Sequence, residues 1–401
     1  GAGGSFVGTA YTFTARNYSY QLWTWGDNEY GGLGLNQPEA SMKSSPTQIP
    51  GLTWANTVGV GKEVKHQIAV KSDGTMWAWG KNQYGELGLN STLSAPVGLS
   101  SPVQVPGTTW AGPVTCYLDG WSAATKTDGT LWAWGNNNAG ALGQNNIVQY
   151  SSPVQIPGTT WPTDIGTSDG VIKLSTTLNA LCAIKTDGTM WNWGQNYSGT
   201  LGQNQSTPNA QYSSPVQIPG TWKSINQDNF ARFGVKTDGK AYFWGSGNDG
   251  VPGLGIRETA RSSPTELHGG GTTWRQIAMQ GYMVMGTKTD GSLWAWGSNV
   301  GGQAASFPGT FEQNHLRSHP IQIDSATTWK YVTLNTSGGS HGTVAGTKTD
   351  GTLWVWGVAP YGTIGNNAIQ PAGHSSPVQV PGTDWTGVAL SHSHIFANKR
   401  I

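Results

Sequence analysis

The chain has 401 residues; 11% are charged, and 22 Lys and Arg against 21 Asp and Glu leave a formal net charge of +1. That balance argues against a broad basic surface for nucleic acid, an acidic tail or a polybasic membrane anchor. No apolar run is long enough to cross a membrane, and Gly1 to Phe6 lacks the charged-then-apolar order of a secretory leader, so neither is expected.

Residues 1–18 precede any repeat and are read as an N-terminal arm, with residues 19–401 as one propeller domain. Tyr11–Arg16 is strand-like and surplus to the repeats. From Trp23 onward the string Trp-x-Trp-Gly recurs, at Trp23–Gly26, Trp77–Gly80, Trp132–Gly135, Trp191–Gly194, Trp294–Gly297 and Trp354–Gly357. Tyr242-Phe243-Trp244-Gly245 fills the one gap, and the Gly-to-Gly spacings are 54, 55, 59, 51, 52 and 60. A period near 50 with such jitter means one supersecondary unit per repeat, with the length variation in loops.

Within each repeat the elements come in a fixed order. A strand such as Gln67–Lys71 leads into an Asp-Gly pair, as at Asp73-Gly74, Asp128-Gly129 and Asp187-Gly188. Asp-Gly favours a tight hairpin turn. The strand after it, as in Leu131-Trp132-Ala133-Trp134, is apolar at both alternating positions, so both faces are expected to be covered. A turn of the form Asn-x-x-Gly-x-Leu-Gly follows, as in Asn82–Gly88. A variable loop then leads to Ser-Pro and a short strand such as Val103–Val105, whose leading proline suits a sheet edge. A tryptophan opens the next unit: Trp54, Trp110, Trp161, Trp222, Trp274, Trp329 and Trp385. These positions and the Trp-x-Trp-Gly copies hold 20 of the 21 tryptophans, leaving Trp121. By position the tryptophans are structural.

Four short strands per unit, repeated radially, make a propeller that hides its sheet edges by closing into a ring. The expected fold is all-β: a seven-bladed β-propeller of four-stranded blades. The chain begins near a Trp-x-Trp-Gly copy without an opening tryptophan. It ends with Trp385 and the strand His394–Lys399, which aligns with His66–Lys71. The two ends are complementary halves, so the N- and C-terminal strands are expected to pair and close the ring.

These motifs closely resemble the regulator-of-chromosome-condensation repeat family, over roughly residues 20–401. The family includes a guanine-nucleotide exchange factor, a plant ultraviolet-B photoreceptor, ubiquitin-ligase modules and a secreted β-lactamase inhibitor. The resemblance implies a propeller that works through loop faces or a subunit interface. The near-verbatim recurrence of Lys-Thr-Asp-Gly-Thr-Leu-Trp is similar in wording to versions from marine bacteria and their phages.

No motif carries chemistry. Gly31-Gly32-Leu33-Gly34 lacks the Gly-Lys-Ser/Thr ending of a phosphate loop, and the Asp-Gly pairs lack the ligand series of a calcium loop. His392 and His394 share a strand face, but the equivalence of His394 with His66 favours a structural role. Cys116 and Cys182 are read as two buried thiols. Arg275 beside Trp274 is the one adjacent Arg–Trp pair, too little for tryptophan photochemistry. The chain is therefore expected to be no enzyme, with no catalytic residue, cofactor or metal.

Two functions remain. The first is a virion-associated or extracellular surface protein acting in assembly or adhesion. Its partners would be protein neighbours or surface glycans, with no nucleic acid and no membrane insertion. The alternative is an intracellular, cytoplasmic regulatory propeller, exchange-factor-like or another protein-interaction scaffold. Contact is expected through the arm and the longest loops: Leu89–Ser101, Thr163–Val171, Gly302–His319 and Asn335–Gly342.

Overall fold

The computed structural model describes residues 19–38, 41–58, 65–93, 98–117, 120–163, 171–205, 210–247, 251–254, 260–267, 271–298, 316–336, 342–358, 362–367, 374–391 and 394–401. The arm (residues 1–18), His392 and large parts of the four long loops lie outside them.

The strands begin with β1 (Tyr20–Gly26), β2 (Lys43–Gln48), β3 (Trp54–Val58), β4 (His66–Lys71), β5 (Met76–Lys81) and β6 (Gly98–Val105). Next come β7 (Trp110–Tyr117), β8 (Trp121–Lys126), β9 (Leu131–Gly135), β10 (Tyr150–Ile156), β11 (Leu174–Thr176), β12 (Ala180–Ile184), β13 (Met190–Gln195) and β14 (Gln211–Ile218). The second half holds β15 (Trp222–Gln227), β16 (Ala231–Lys236), β17 (Ala241–Gly245), β18 (Arg261–Glu266), β19 (Trp274–Gln280), β20 (Met283–Lys288), β21 (Leu293–Ser298) and β22 (Leu316–Asp324). The last are β23 (Trp329–Thr336), β24 (Gly342–Lys348), β25 (Leu353–Gly357), β26 (His374–Val380), β27 (Trp385–Leu390) and β28 (His394–Arg400).

The pairing corrects the expectation of seven separate four-stranded blades. The described strands form five four-stranded sheets and one eight-stranded sheet, ordered β27-β28-β1-β3-β4-β5-β6 with β2 on β1. The fusion rests on one pair, Tyr20 with Trp54. Its cause is local. The equivalent strands β5, β9 and β13 each follow an Asp-Gly hairpin that fixes where they start; β1 follows none. It therefore runs on to Tyr20 and reaches β3. β28 lies antiparallel to β1 from Tyr20↔Arg400 to Gly26↔His394, so the first and last described strands pair with each other. The first strand of each set touches the next: β27 touches β3, β3 touches β7, β7 touches β11, and the series runs through β15, β19 and β23 back to β27. This closed circuit of inner strands makes the molecule a propeller, whose sheets keep only short outer edges.

One repeated device ties each repeat to the one before it. The second tryptophan of the Trp-x-Trp-Gly strand is fully buried, and its Nε1 donates to a carbonyl of the preceding repeat's glycine-rich turn. Trp79 reaches Gly32 O (2.9 Å), Trp134 reaches Glu86 O (2.8 Å), Trp193 reaches Ala141 O (2.8 Å) and Trp244 reaches Thr200 O (2.8 Å). The turn is held by its leading asparagine: Asn82 Oδ1 accepts from Leu87 N at 3.1 Å, and Asn137 Oδ1 from Leu142 N at 3.0 Å. The last glycine of the turn must be small. Gly88 has φ of +72°, and a Cβ there would sit 2.9 Å from Trp134 Nε1. A side chain is thus excluded by the left-handed backbone and by the indole together.

Candidate functional site

In these antiparallel sheets alternate strands reverse, so the connections sort onto two faces. One face carries the Asp-Gly turns and the starts of the inner strands. The other carries the hairpins that leave the inner strands, together with the glycine-rich turns.

The Asp-Gly face is built alike at Asp73, Asp128, Asp187, Asp290 and Asp350, whereas Asp238 is followed by Lys240 and binds only its backbone N–H. The aspartate accepts from the backbone N–H and hydroxyl of the residue two positions on, as Asp128 does from Thr130 at 3.0 and 2.7 Å. That hydroxyl in turn accepts from the first tryptophan of the next strand, Trp132 Nε1, at 2.8 Å. These bonds favour the charged carboxylate, and the side-chain hydroxyl of Thr130 is the main reason Asp128 is held below its usual range. Two residues before each aspartate stands a lysine whose ammonium lies over two aromatic rings. Lys126 is 4.8 Å from the Trp110 ring and 4.2 Å from Trp132; Lys236 is 5.2 Å from Trp222 and 4.2 Å from Tyr242; Lys288 is 5.0 Å from Trp274 and 3.7 Å from Trp294. The opening tryptophans, structural by position, thus also hold cations. The sequence carried this signal in its Lys-x-Asp-Gly spacing, which reads equally well as a solvated charge.

The opposite face is irregular. It holds the hairpin between β15 and β16, Asp228 to Phe230. Asp228 Oδ2 accepts from Gly281 N (2.7 Å), in the hairpin of the following sheet. Asn229 Oδ1 accepts from Leu178 N (3.0 Å) and Tyr117 OH (2.9 Å), on two preceding sheets. Arg232, wholly buried beneath, donates to Asp228 O at 2.7 Å. Burial lowers its guanidinium to about 10, well above neutrality, so it remains a cation. This network ties hairpins of four sheets together and leaves two aromatic side chains in solvent, Phe230 at 56% exposure and Tyr282 at 43%. Tyr197, in the turn beside them, packs on Phe230 with ring centroids 6.0 Å apart.

His66, Cys116, Cys182 and His394 are buried in the frame. His66 Nε2 lies 2.9 Å from Ser122 Oγ, and that hydroxyl donates to Glu86 O at 2.8 Å. All three residues are buried, and desolvation lowers the imidazole to about 3. A serine beside a neutral histidine under these conditions is a packing contact. Cys116 and Cys182 are free and buried; desolvation raises both thiols, Cys182 to about 12. His394 is buried edge-on against Phe396, with centroids 5.0 Å apart. Arg275 donates to Thr289 O at 3.3 Å rather than stacking in a tryptophan cluster. Among the described residues no group of three or more His, Cys, Asp or Glu could hold a metal ion, and no helix is long and apolar enough to cross a membrane.

Residues 21–63, 73–115 and 128–169 match the sequence profile of the regulator of chromosome condensation (RCC1) repeat. The chain is 26% identical over 241 residues to the ultraviolet-B receptor UVR8 of Arabidopsis thaliana, covering 59% of this chain and 51% of the receptor. It therefore spans about half the length of that relative. It is 24% identical over 392 residues to the mitochondrial RCC1 domain-containing protein RUG3 of the same plant, covering 90% of this chain and 82% of RUG3. In fold it is similar to Prp20p of Saccharomyces cerevisiae, whose structure was described with its binding to Gsp1p and histones. The TM-score is 0.76 at 18% identity, covering 96% of this chain and 92% of Prp20p.

Proposed function

We propose that this chain, a propeller of regulator of chromosome condensation repeats, is a non-enzymatic scaffold that binds a protein partner on the face carrying Phe230 and Tyr282. The exposed aromatic pair carries the reading. Two large rings stand in solvent on hairpins that Asp228, Asn229 and Arg232 fix from below. Aromatic side chains on a rigid base pay little entropy on binding and are the usual anchors of protein interfaces. Prp20p's partners, Gsp1p and histones, are proteins, which favours a protein here over a glycan. Of the two functions read from the sequence, the comparisons favour the intracellular regulatory propeller; nothing in them speaks for a virion or extracellular role.

The test is affinity capture from extracts of the producing cells, with wild type set against Phe230→Ala/Tyr282→Ala. A partner held by the wild type and lost from an equally stable double variant supports the proposal. Identical capture by both proteins removes it.

A further inference from the structure

We propose a second binding site, on the opposite face: a basic cleft between the Asp187 turn and the start of β15 that takes carboxylate side chains of an acidic peptide segment. The site begins with a backbone irregularity. Trp222 pairs with Lys236 and Ser224 with Val235, so Lys223 is an extra, bulged residue at the start of β15. Arg275 in β19 and Lys330 in β23 are bulged in the same way. Thr386 in β27 is bulged alike, so the bulge belongs to the repeat; it re-aims its side chain out of the sheet, and what differs between strands is the residue it carries. Each bulge sits beside the Asp-Gly turn of the preceding repeat, since Trp222 N donates to Gly188 O (2.8 Å), Trp274 N to Gly239 O (3.1 Å) and Trp329 N to Gly291 O (3.0 Å). Three successive inner strands therefore present a cation at the same end of the ring. Lys173, just ahead of β11, extends the crescent to a fourth.

The crescent is local. The corresponding residues of β3 and β7 are Ala55 and Ala111, and in β27 Thr386. The contrast appears in two related clefts. One, of about 380 Å³, is lined by Lys173, Lys185, Asp187, Trp222, Lys223 and Thr237, among others. Its counterpart, of about 500 Å³, has Ala55 and Ala111 in the wall, with Lys71, Asp73 and Trp110 in the repeated positions. In the first cleft Lys185 is held against Trp161 and Trp191 at 4.7 and 4.8 Å, and Asp187 is bound by Thr189 at 2.8 and 2.7 Å. Among the described residues that line it, three lysines stand against one aspartate.

The neighbouring chemistry selects the ligand. Asp187, Asp238, Asp290 and Asp350 stand in the turns around this face. Hydrogen bonds from the residue two positions on hold Asp187, Asp290 and Asp350 below the usual carboxylate range, so those groups stay ionised. A duplex laid across this face would meet these anions along with the lysines, whereas one or two carboxylates on a flexible segment enter the cleft between them. Lysine ammonium groups suit such point contacts, and hydroxyls such as that of Thr237 add donors.

The probe is a fluorescein-labelled oligo-glutamate peptide, read by anisotropy on the full chain at about 0.15 M salt. Wild type binds it. Lys223→Glu weakens binding at least about tenfold, with Lys223→Gln intermediate and both variants melting as wild type does. Ala111→Lys, placed in the counterpart cleft, restores part of the binding lost in Lys223→Glu. Phe230→Ala leaves the peptide affinity unchanged, which separates this site from the aromatic face. No peptide binding, equal binding by Lys223→Glu, or displacement of the peptide by a duplex DNA of equal charge that binds more tightly would each overturn the proposal.

Discussion

The contact between Gly88 and Trp134 allows the inter-sheet packing to be tested quantitatively. Trp134 is fully buried, its Nε1 is bonded to Glu86 O at 2.8 Å, and its ring lies 6.1 Å from that of Trp110. Gly88→Ala meets two separate costs. The backbone, at φ +72°, disfavours any Cβ by about 1–2 kcal/mol. The new methyl would also lie 2.9 Å from Trp134 Nε1 and 3.2 Å from Val105 Cγ1, an overpacking worth about 1–3 kcal/mol. The single variant should lose about 2–5 kcal/mol, the sum of the two. Trp134→Ala alone should lose about 3–5 kcal/mol through the cavity it leaves.

The two changes should not add. With the indole gone, the methyl introduced by Gly88→Ala loses its main obstacle, and the backbone cost and the milder contact with Val105 remain. The expected coupling is about 1–3 kcal/mol, in the range for residues in contact. Guanidinium unfolding of the four proteins, followed by tryptophan fluorescence and by far-ultraviolet circular dichroism, measures it. Coincident curves for the two probes license the free energies. Strictly additive losses, or a neutral Gly88→Ala, would refute the account of why this turn ends in glycine.

Three further outcomes are expected. Lys126→Met keeps the stem between Trp110 and Trp132 but removes the charge, so stability should fall by about 0.5–2 kcal/mol, measured by chemical denaturation at low and high salt. His66 is lowered to about 3 in the fold, so from about pH 6.5 downward the unfolded chain takes a proton that the native one refuses. Stability is then lost at about 1.4 kcal/mol per pH unit as pH falls through that window. Glu86, raised by burial, acts in the opposite sense, so comparison of wild type with His66→Gln at pH 7 and pH 5 isolates the histidine. A variant with the same pH dependence as wild type would contradict this assignment. Deletion of residues 385–401 removes β27 and β28, leaving β1 paired with β2 but stripped of β28 from Tyr20 to Gly26. The truncated chain should lose its cooperative thermal transition, and an unchanged melt would contradict ring closure by the first and last described strands.

What the sequence revealed, and what it did not, follows from periodicity. Tryptophans, Asp-Gly turns and the Asn-x-x-Gly-x-Leu-Gly turn were legible because each solves the same packing problem once per repeat. The count of separate sheets was not, because the eight-stranded sheet depends on one non-repeating pair, Tyr20 with Trp54. The lysines over the indole rings were periodic yet overlooked, since a charge in a strand carries no mark of whether its end meets water or an aromatic face. The two proposed sites are harder still. Asp228, Asn229 and Phe230 work through bonds to Gly281, Leu178 and Tyr117, residues that share no motif and meet only when the ring closes. Lys223, Arg275 and Lys330 do hold one repeat position, directly after the opening tryptophan. Their meaning emerges only from the bulge that turns each side chain outward and from the alanines that replace them in β3 and β7. In a propeller built from near-identical units, the frame is written in what repeats. The candidate binding surfaces are written in the departures, and those become readable once the strands fix which departures stand side by side.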